Sequence, residues 1–141
     1  MAPQKIRCLL AMLGTDVHNK GIRTLAQLLR DRGVEVVYLG EHNTADGVIN
    51  ALIAEDADVV GLSYSTATYL HYTRDLLVKM RAAGVDDVPV MLGGLIHADD
   101  EPALVEMGVQ GIFGPGSTTD QIVEFLQDVT GKSLATNDSA V

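Results

Sequence analysis

Asp16, His18 and Gly21 stand at a spacing that suits ligation of a metal. In a loop, Asp16 can accept a hydrogen bond from one imidazole nitrogen of His18. That fixes the tautomer and turns the other nitrogen outward as a basic ligand. Gly21 lets the backbone turn tightly beyond it. An apolar run over 6–13 precedes this stretch and an amphipathic one over 22–32 follows, so His18 falls on a strand-to-helix loop. Open α/β sheets keep their ligands on such loops. The pair itself leaves two readings, a structural Asp–His contact and a metal ligand with its orienting carboxylate. A closed zinc site needs four protein ligands, and Cys8 is enclosed in an apolar run. An open site built from His18, His42 and His97 would need three separate loops to converge.

Other stretches offer weaker chemistry. Ser63 ends an apolar run and is followed by Tyr64, Ser65 and Thr66. A hydrolase elbow would read G-x-S-x-G, and Gly61-Leu62-Ser63-Tyr64-Ser65 lacks the second Gly. Ser63 therefore reads as a capping or binding hydroxyl. Gly93-Gly94 and Gly114-Pro115-Gly116-Ser117 close two further runs, where bare backbone lets a ligand approach. Gly116 and Ser117, at the start of a helix, could also face an anion. The dinucleotide fingerprint G-x-G-x-x-G is absent after the first apolar run.

These residues need a frame to position them. Strand candidates fall at 6–13, 35–39, 59–63, 88–92 and 111–113, and helical patterns lie near 21–31, 45–55, 69–82, 101–107 and 119–129. Ile22, Leu25, Leu28 and Leu29 recur at helical spacing, with Arg23, Gln27 and Arg30 between them. Gly33 and Gly84 stand where helices stop; Thr44 and the residues from Ser117 to Thr119 offer starts. Strands that read as continuous apolar runs belong to parallel sheets covered on both faces. The spacing predicts one α/β domain over 1–131, a doubly wound, flavodoxin-like (Rossmann-like) five-stranded parallel sheet with helices on both faces. Residues 132–141 read as a frayed, flexible tail. All four histidines (His18, His42, His71 and His97) fall on or beside the C-terminal edge of the expected sheet.

Composition narrows the function class. The 141 residues carry a formal charge of −9, which argues against nucleic acid and anionic membranes as partners. Residues 1–7 hold no signal-peptide core, and no apolar run is long enough to cross a bilayer. A single Cys suits a reducing compartment, so the chain is expected in the cytoplasm.

Gly14-Thr15-Asp16-Val17-His18-Asn19-Lys20-Gly21, then Ser63, then Gly93-Gly94 together resemble the D-x-H-x-x-G … S-x-L … G-G signature of cobalamin-binding domains. Glu106-Met107-Gly108-Val109 and Phe113-Gly114-Pro115-Gly116-Ser117-Thr118 resemble the last segments of acyl-CoA mutase cobalamin domains. The resemblance runs from about Ile6 to about Val129. It implies that His18 replaces the cofactor's own benzimidazole as the axial ligand of cobalt and that Asp16 holds and polarises His18. The displaced nucleotide tail would enter a cleft beside the sheet. There Ser63 would hydrogen-bond the benzimidazole, Gly93 and Gly94 would leave room, and the residues from Gly114 to Thr118 would contact the far end. Gly14, Val17, Asn19, Lys20, Gly21, Tyr64 and Ser65 complete the implied cofactor-binding set. Two positions depart from the pattern. Ser65 stands at the Leu position, which predicts a more polar cleft. Met12 stands where acyl-CoA mutase domains often carry a lysine.

The same resemblance implies a small subunit that carries adenosylcobalamin base-off and His-on for a radical carbon-skeleton mutase. Methyl-transfer relatives usually carry a helical cap ahead of the motif, whereas here the first strand begins almost at once. The substrate-binding barrel, typically about 250 residues, is expected on a separate large subunit. Tyr64, Tyr69 and His97 would be shared between corrin and partner. A short branched acyl-CoA, bound through the partner, is the implied substrate. A glutamate-type mutase subunit and a corrinoid carrier or sensor module are the alternatives. A response-regulator switch would want an acidic cluster after the first strand and a Lys after the last, and neither is present.

Overall fold

The computed structural model describes residues 5–14 and 19–134. Five parallel strands, β1 (Arg7–Leu13), β2 (Glu35–Asn43), β3 (Val59–Tyr64), β4 (Val90–Gly94) and β5 (Gly111–Phe113), form one sheet in the order β2-β1-β3-β4-β5. The connecting helices are α1 (Lys20–Asp31), α2 (Ala45–Ala54), α3 (Tyr69–Ala82), α4 (Glu101–Met107) and α5 (Thr119–Thr130), with a short 3-10 turn at Ala98–Asp100 before α4. This is the expected flavodoxin-like arrangement. Strand order reverses between β1 and β3, where such sheets bind ligands at their C-terminal edge.

The period-two alternation of β1 explains why it reads as unbroken apolar sequence. Leu9, Ala11 and Leu13 enter one core with α2, α3 and α4, while Cys8, Leu10 and Met12 enter the other with α1 and α5. Burying each such leucine contributes about 1.5–3 kcal/mol. The helix ends follow local chemistry. Thr44 Oγ1 accepts the Gly47 N–H at 3.0 Å. Thr118 and Gln121 form a reciprocal capping box at the start of α5, with bonds of 3.1 and 2.9 Å. Gly33 follows α1 with φ +89°, a left-handed stop that a Cβ would strain.

Three elements differ from the sequence reading. β2 continues through Gly40 to Asn43 instead of ending at Leu39. β4 begins at Val90 rather than Val88, because Val88 donates to the Val85 carbonyl in a turn (3.2 Å) and Pro89 has no N–H to give a ladder. A frayed tail was expected from Lys132, whereas 132–134 are docked. Leu134 is buried in the α1/α5 core, and Lys132 Nζ reaches Asp58 Oδ2 at 3.0 Å and the Lys5 carbonyl at 3.1 Å. Residues 135–141 lie outside the described residues.

Candidate functional site

Period two on β3 puts Gly61 and Ser63 on the same face of the sheet, toward α1 and α5. Across the ladder Gly61 pairs with Met91 and Ser63 with Gly93. Gly93 pairs in turn with Phe113. Small residues on adjacent strands leave the floor low, and a cleft of about 510 Å³ opens above it between α1 and α5. That volume lies in the range of small-molecule pockets, roughly 300–1,000 Å³. Leu25 and Leu28 of α1 form one wall, and Phe113, Pro115 and Ile122 form the other. Leu28 and Leu95 are 42% and 59% exposed at this cleft.

Eight of the residues named from the sequence line the cleft: Lys20, Gly21, Ser63, Gly93, Gly94, Gly114, Pro115 and Ser117. A Cβ at Gly21 or Gly114 would meet no protein atom within 4 Å, so the backbone there is open to a ligand. Asp16, Val17 and His18 lie outside the described residues. Lys20 and Gly21, which follow them, carry the chain directly to the cleft.

Other expected residues lie elsewhere. The Tyr64 side chain is only 1% exposed and points into the opposite core, where its hydroxyl bonds Thr73 Oγ1 at 3.1 Å. Burial pushes its phenol pKa up, partly offset by that bond. Alternation along β3 therefore removes Tyr64 from the cleft that Ser63 lines. Ser65, two residues on from Ser63, does not line the cleft either, and the walls are mainly apolar. Gly116 and Thr118 are not among the lining residues, and the Thr118 hydroxyl caps its own helix.

Tyr69 is buried too. Its hydroxyl donates to Asp100, which raises its pKa, and accepts the His97 N–H at 3.1 Å. His97 remains exposed, with Nδ1 accepting the Asp99 N–H at 3.1 Å. Among the described residues no three His, Cys, Asp or Glu side chains converge as a metal site. Cys8 is buried, as its apolar run implied, and burial with the nearby Asp58 pushes its thiol up to about 12.

Gly14 follows β1 beneath the Tyr72 ring, and its N–H donates to the Asn43 carbonyl at 3.1 Å. Asn19 is the N-cap residue of α1, yet its side chain makes no capping bond and donates instead to Glu41. Leu10, Gly61, Met91 and Phe113, which help to line the cleft, were not singled out as binding residues. The one signal that finds them is strand alternation from Ser63 and Gly93.

A profile of the B12 binding domain matches residues 6–124. The chain belongs to the B12-binding domain family. It is 38% identical to the pivalyl-CoA mutase small subunit of Xanthobacter autotrophicus, over 92% of this chain and 87% of that one. It is 32% identical to the 2-hydroxyisobutanoyl-CoA mutase small subunit of Aquincola tertiaricarbonis, over 88% and 91% of the two chains. A crystal structure of a cobalamin-binding protein from Desulfitobacterium hafniense shares the fold, with a TM-score of 0.76 at 20% identity. The match covers 88% of this chain and 58% of that one. Among the described residues no helix is long and apolar enough to cross a membrane.

Proposed function

We propose that the chain is the small, cofactor-carrying subunit of a CoA mutase, holding adenosylcobalamin with His18 on cobalt and the displaced nucleotide tail in the α1/α5 cleft. The observation that carries this reading is the cleft itself. Its floor of Gly61, Ser63 and Gly93 lies at the C-terminal ends of β3 and β4, and Lys20 and Gly21 link it in sequence to His18. The residues suit the tail: bare backbone admits it, Leu25 and Leu28 exclude water from it, and the Ser63 hydroxyl can bond its base.

When bound, adenosylcobalamin supplies the radical that drives carbon-skeleton rearrangement. The chain's own work is placement. Asp16 would accept a hydrogen bond from His18, which would fix its tautomer and keep the opposite nitrogen basic. The His18 imidazole would hold the metal in place of the cofactor's own base, and the cleft would hold that base. A large barrel subunit completes the site, a reading supported by relatives that are themselves small subunits. Their named substrates are CoA thioesters of short branched acids, which supports the same class here. The lone buried Cys8 fits a cytoplasmic setting.

The test mixes the purified chain with a CoA mutase large subunit, adenosylcobalamin and a branched acyl-CoA, and follows the products. Isomerised acyl-CoA should form only when both chains are present. Cobalamin binding with no turnover alongside any such partner would instead mark a corrinoid carrier.

A further inference from the structure

We infer that the end of β2 is a clamp for the metal-ligating loop, with Glu41 as its positioning residue. β2 has nine residues where β1 has seven, and their register slips twice: Leu10 pairs with Tyr38, Ala11 with Gly40 and Leu13 with Asn43. Each slip inserts an extra residue in β2, a bulge that re-aims the strand. The insertions use left-handed backbone at Gly40 (φ +73°) and at His42 (φ +60°). Such a conformation is uncommon for a residue with a Cβ, and strained backbone gathers where function needs it.

The extension makes four bonds, three of them reaching across to Gly14, Met12 and Asn19. The Asn43 carbonyl accepts the Gly14 N–H at 3.1 Å. The Asn43 side-chain amide donates to the Met12 carbonyl at 3.1 Å and to the Gly40 carbonyl at 2.8 Å. The Glu41 carboxylate accepts from Asn19 Nδ2. Gly14 and Asn19 flank positions 15–18, so both flanks of that stretch are tied to β2. Asn19 makes the argument sharper. An N-cap asparagine ordinarily bonds its own helix, and this one makes no such bond. The side chain is committed across the sheet edge instead.

A ligand held by a loop whose flanks are fixed loses less freedom on binding. Glu41 therefore strengthens cobalamin binding without touching the cofactor. The clamp stands on its own geometry; only its effect on cobalamin rests on the reading of His18 as axial ligand.

The test uses the full chain and the variants Glu41→Ala, Glu41→Gln, Asn19→Ala and the double alanine. Hydrogen exchange over 14–19 without cobalamin reads the clamp. Adenosylcobalamin titration and the fraction of bound cofactor with imidazole on cobalt read its effect. Each single alanine variant should speed exchange and weaken binding about tenfold, the scale of one hydrogen bond to a charged group. The double variant should be no worse than either. Glu41→Gln, which keeps an acceptor oxygen, should stay within about threefold of wild type. Unchanged exchange in both single alanine variants would overturn the clamp. Faster exchange with unchanged binding by a wild type that does bind would overturn the positioning role. If the wild type leaves cobalamin unbound even with a CoA mutase large subunit present, the axial-ligand reading and the positioning role fall, while exchange still decides the clamp. Asn19→Ala removes the same bond from the other side, so the test survives if Glu41→Ala fails to fold.

Discussion

Gly94, the last residue of β4, lies against the carbonyl of Tyr64, the last residue of β3, so closely that a Cβ at Gly94 would overlap the carbonyl oxygen. The same carbonyl accepts the Leu95 N–H at 2.9 Å. Two strand ends are thereby drawn together where the cleft begins. Tyr64 secures this from the far face, its ring buried in the α2/α3 core, while Ser63 faces the cleft beside Gly93.

Gly94→Ala should be among the most damaging single-methyl changes in the chain. It combines a φ of +102° with a backbone overlap that no side-chain rotation relieves. Urea denaturation should show a loss of about 2–4 kcal/mol. A loss under about 0.5 kcal/mol would mean that the two strand ends are not held as described.

Ser63 separates hydrogen bonding from room in the cleft. Ser63→Ala should weaken cobalamin binding about fivefold, the scale of one lost hydrogen bond. Ser63→Leu should weaken it far more by filling the floor, with little change in secondary structure by circular dichroism. Equal, small effects from both in a cobalamin titration would show that the tail lies elsewhere.

The buried thiol gives a pH signature. Cys8 has a folded pKa of about 12 against an ordinary value of 9.0, so the folded chain holds its proton more tightly than the unfolded one. The stability linked to that proton is full below pH 9 and is lost as pH rises from there through the folded value. Urea midpoints of wild type should therefore fall more steeply above pH 9 than those of Cys8→Ala. Alkylation should also require unfolding. Parallel pH profiles, or rapid labelling of the native chain, would contradict the burial of Cys8.

Much of the frame was legible because the hydrophobic pattern is strong. β1 and β3 are apolar on both faces, and Thr44, Gly33 and the residues from Ser117 to Thr119 mark where helices stop and start. The glycines and Ser63 at strand ends could be read as a ligand edge, since the fold class puts ligands there. The end of β2 could not. Gly40-Glu41-His42-Asn43 has turn composition, and its continuation as strand depends on bulges and on bonds to Met12, Gly14 and Asn19 that only the tertiary structure supplies. Nor could the cleft walls be separated from core: Leu10 and Met91 look like any strand hydrophobe until the glycines beside them are placed. Adjacency to Ser63 and the S-x-L resemblance bring Tyr64 and Ser65 into the expected site, whereas strand alternation turns Tyr64 away.

The central claim is that His18 supplies the lower axial ligand of cobalt. Its most direct test is the paramagnetic-resonance spectrum of cobalamin in the cobalt(II) state bound to the chain, prepared with natural and with ¹⁵N-labelled histidine. One axial nitrogen from His18 predicts that each triplet of the natural sample becomes a doublet on labelling, and that the imidazole coupling disappears in His18→Ala. Triplets that persist in the labelled protein, or a spectrum unchanged in His18→Ala, would show that the cofactor keeps its own base on cobalt and would contradict the account.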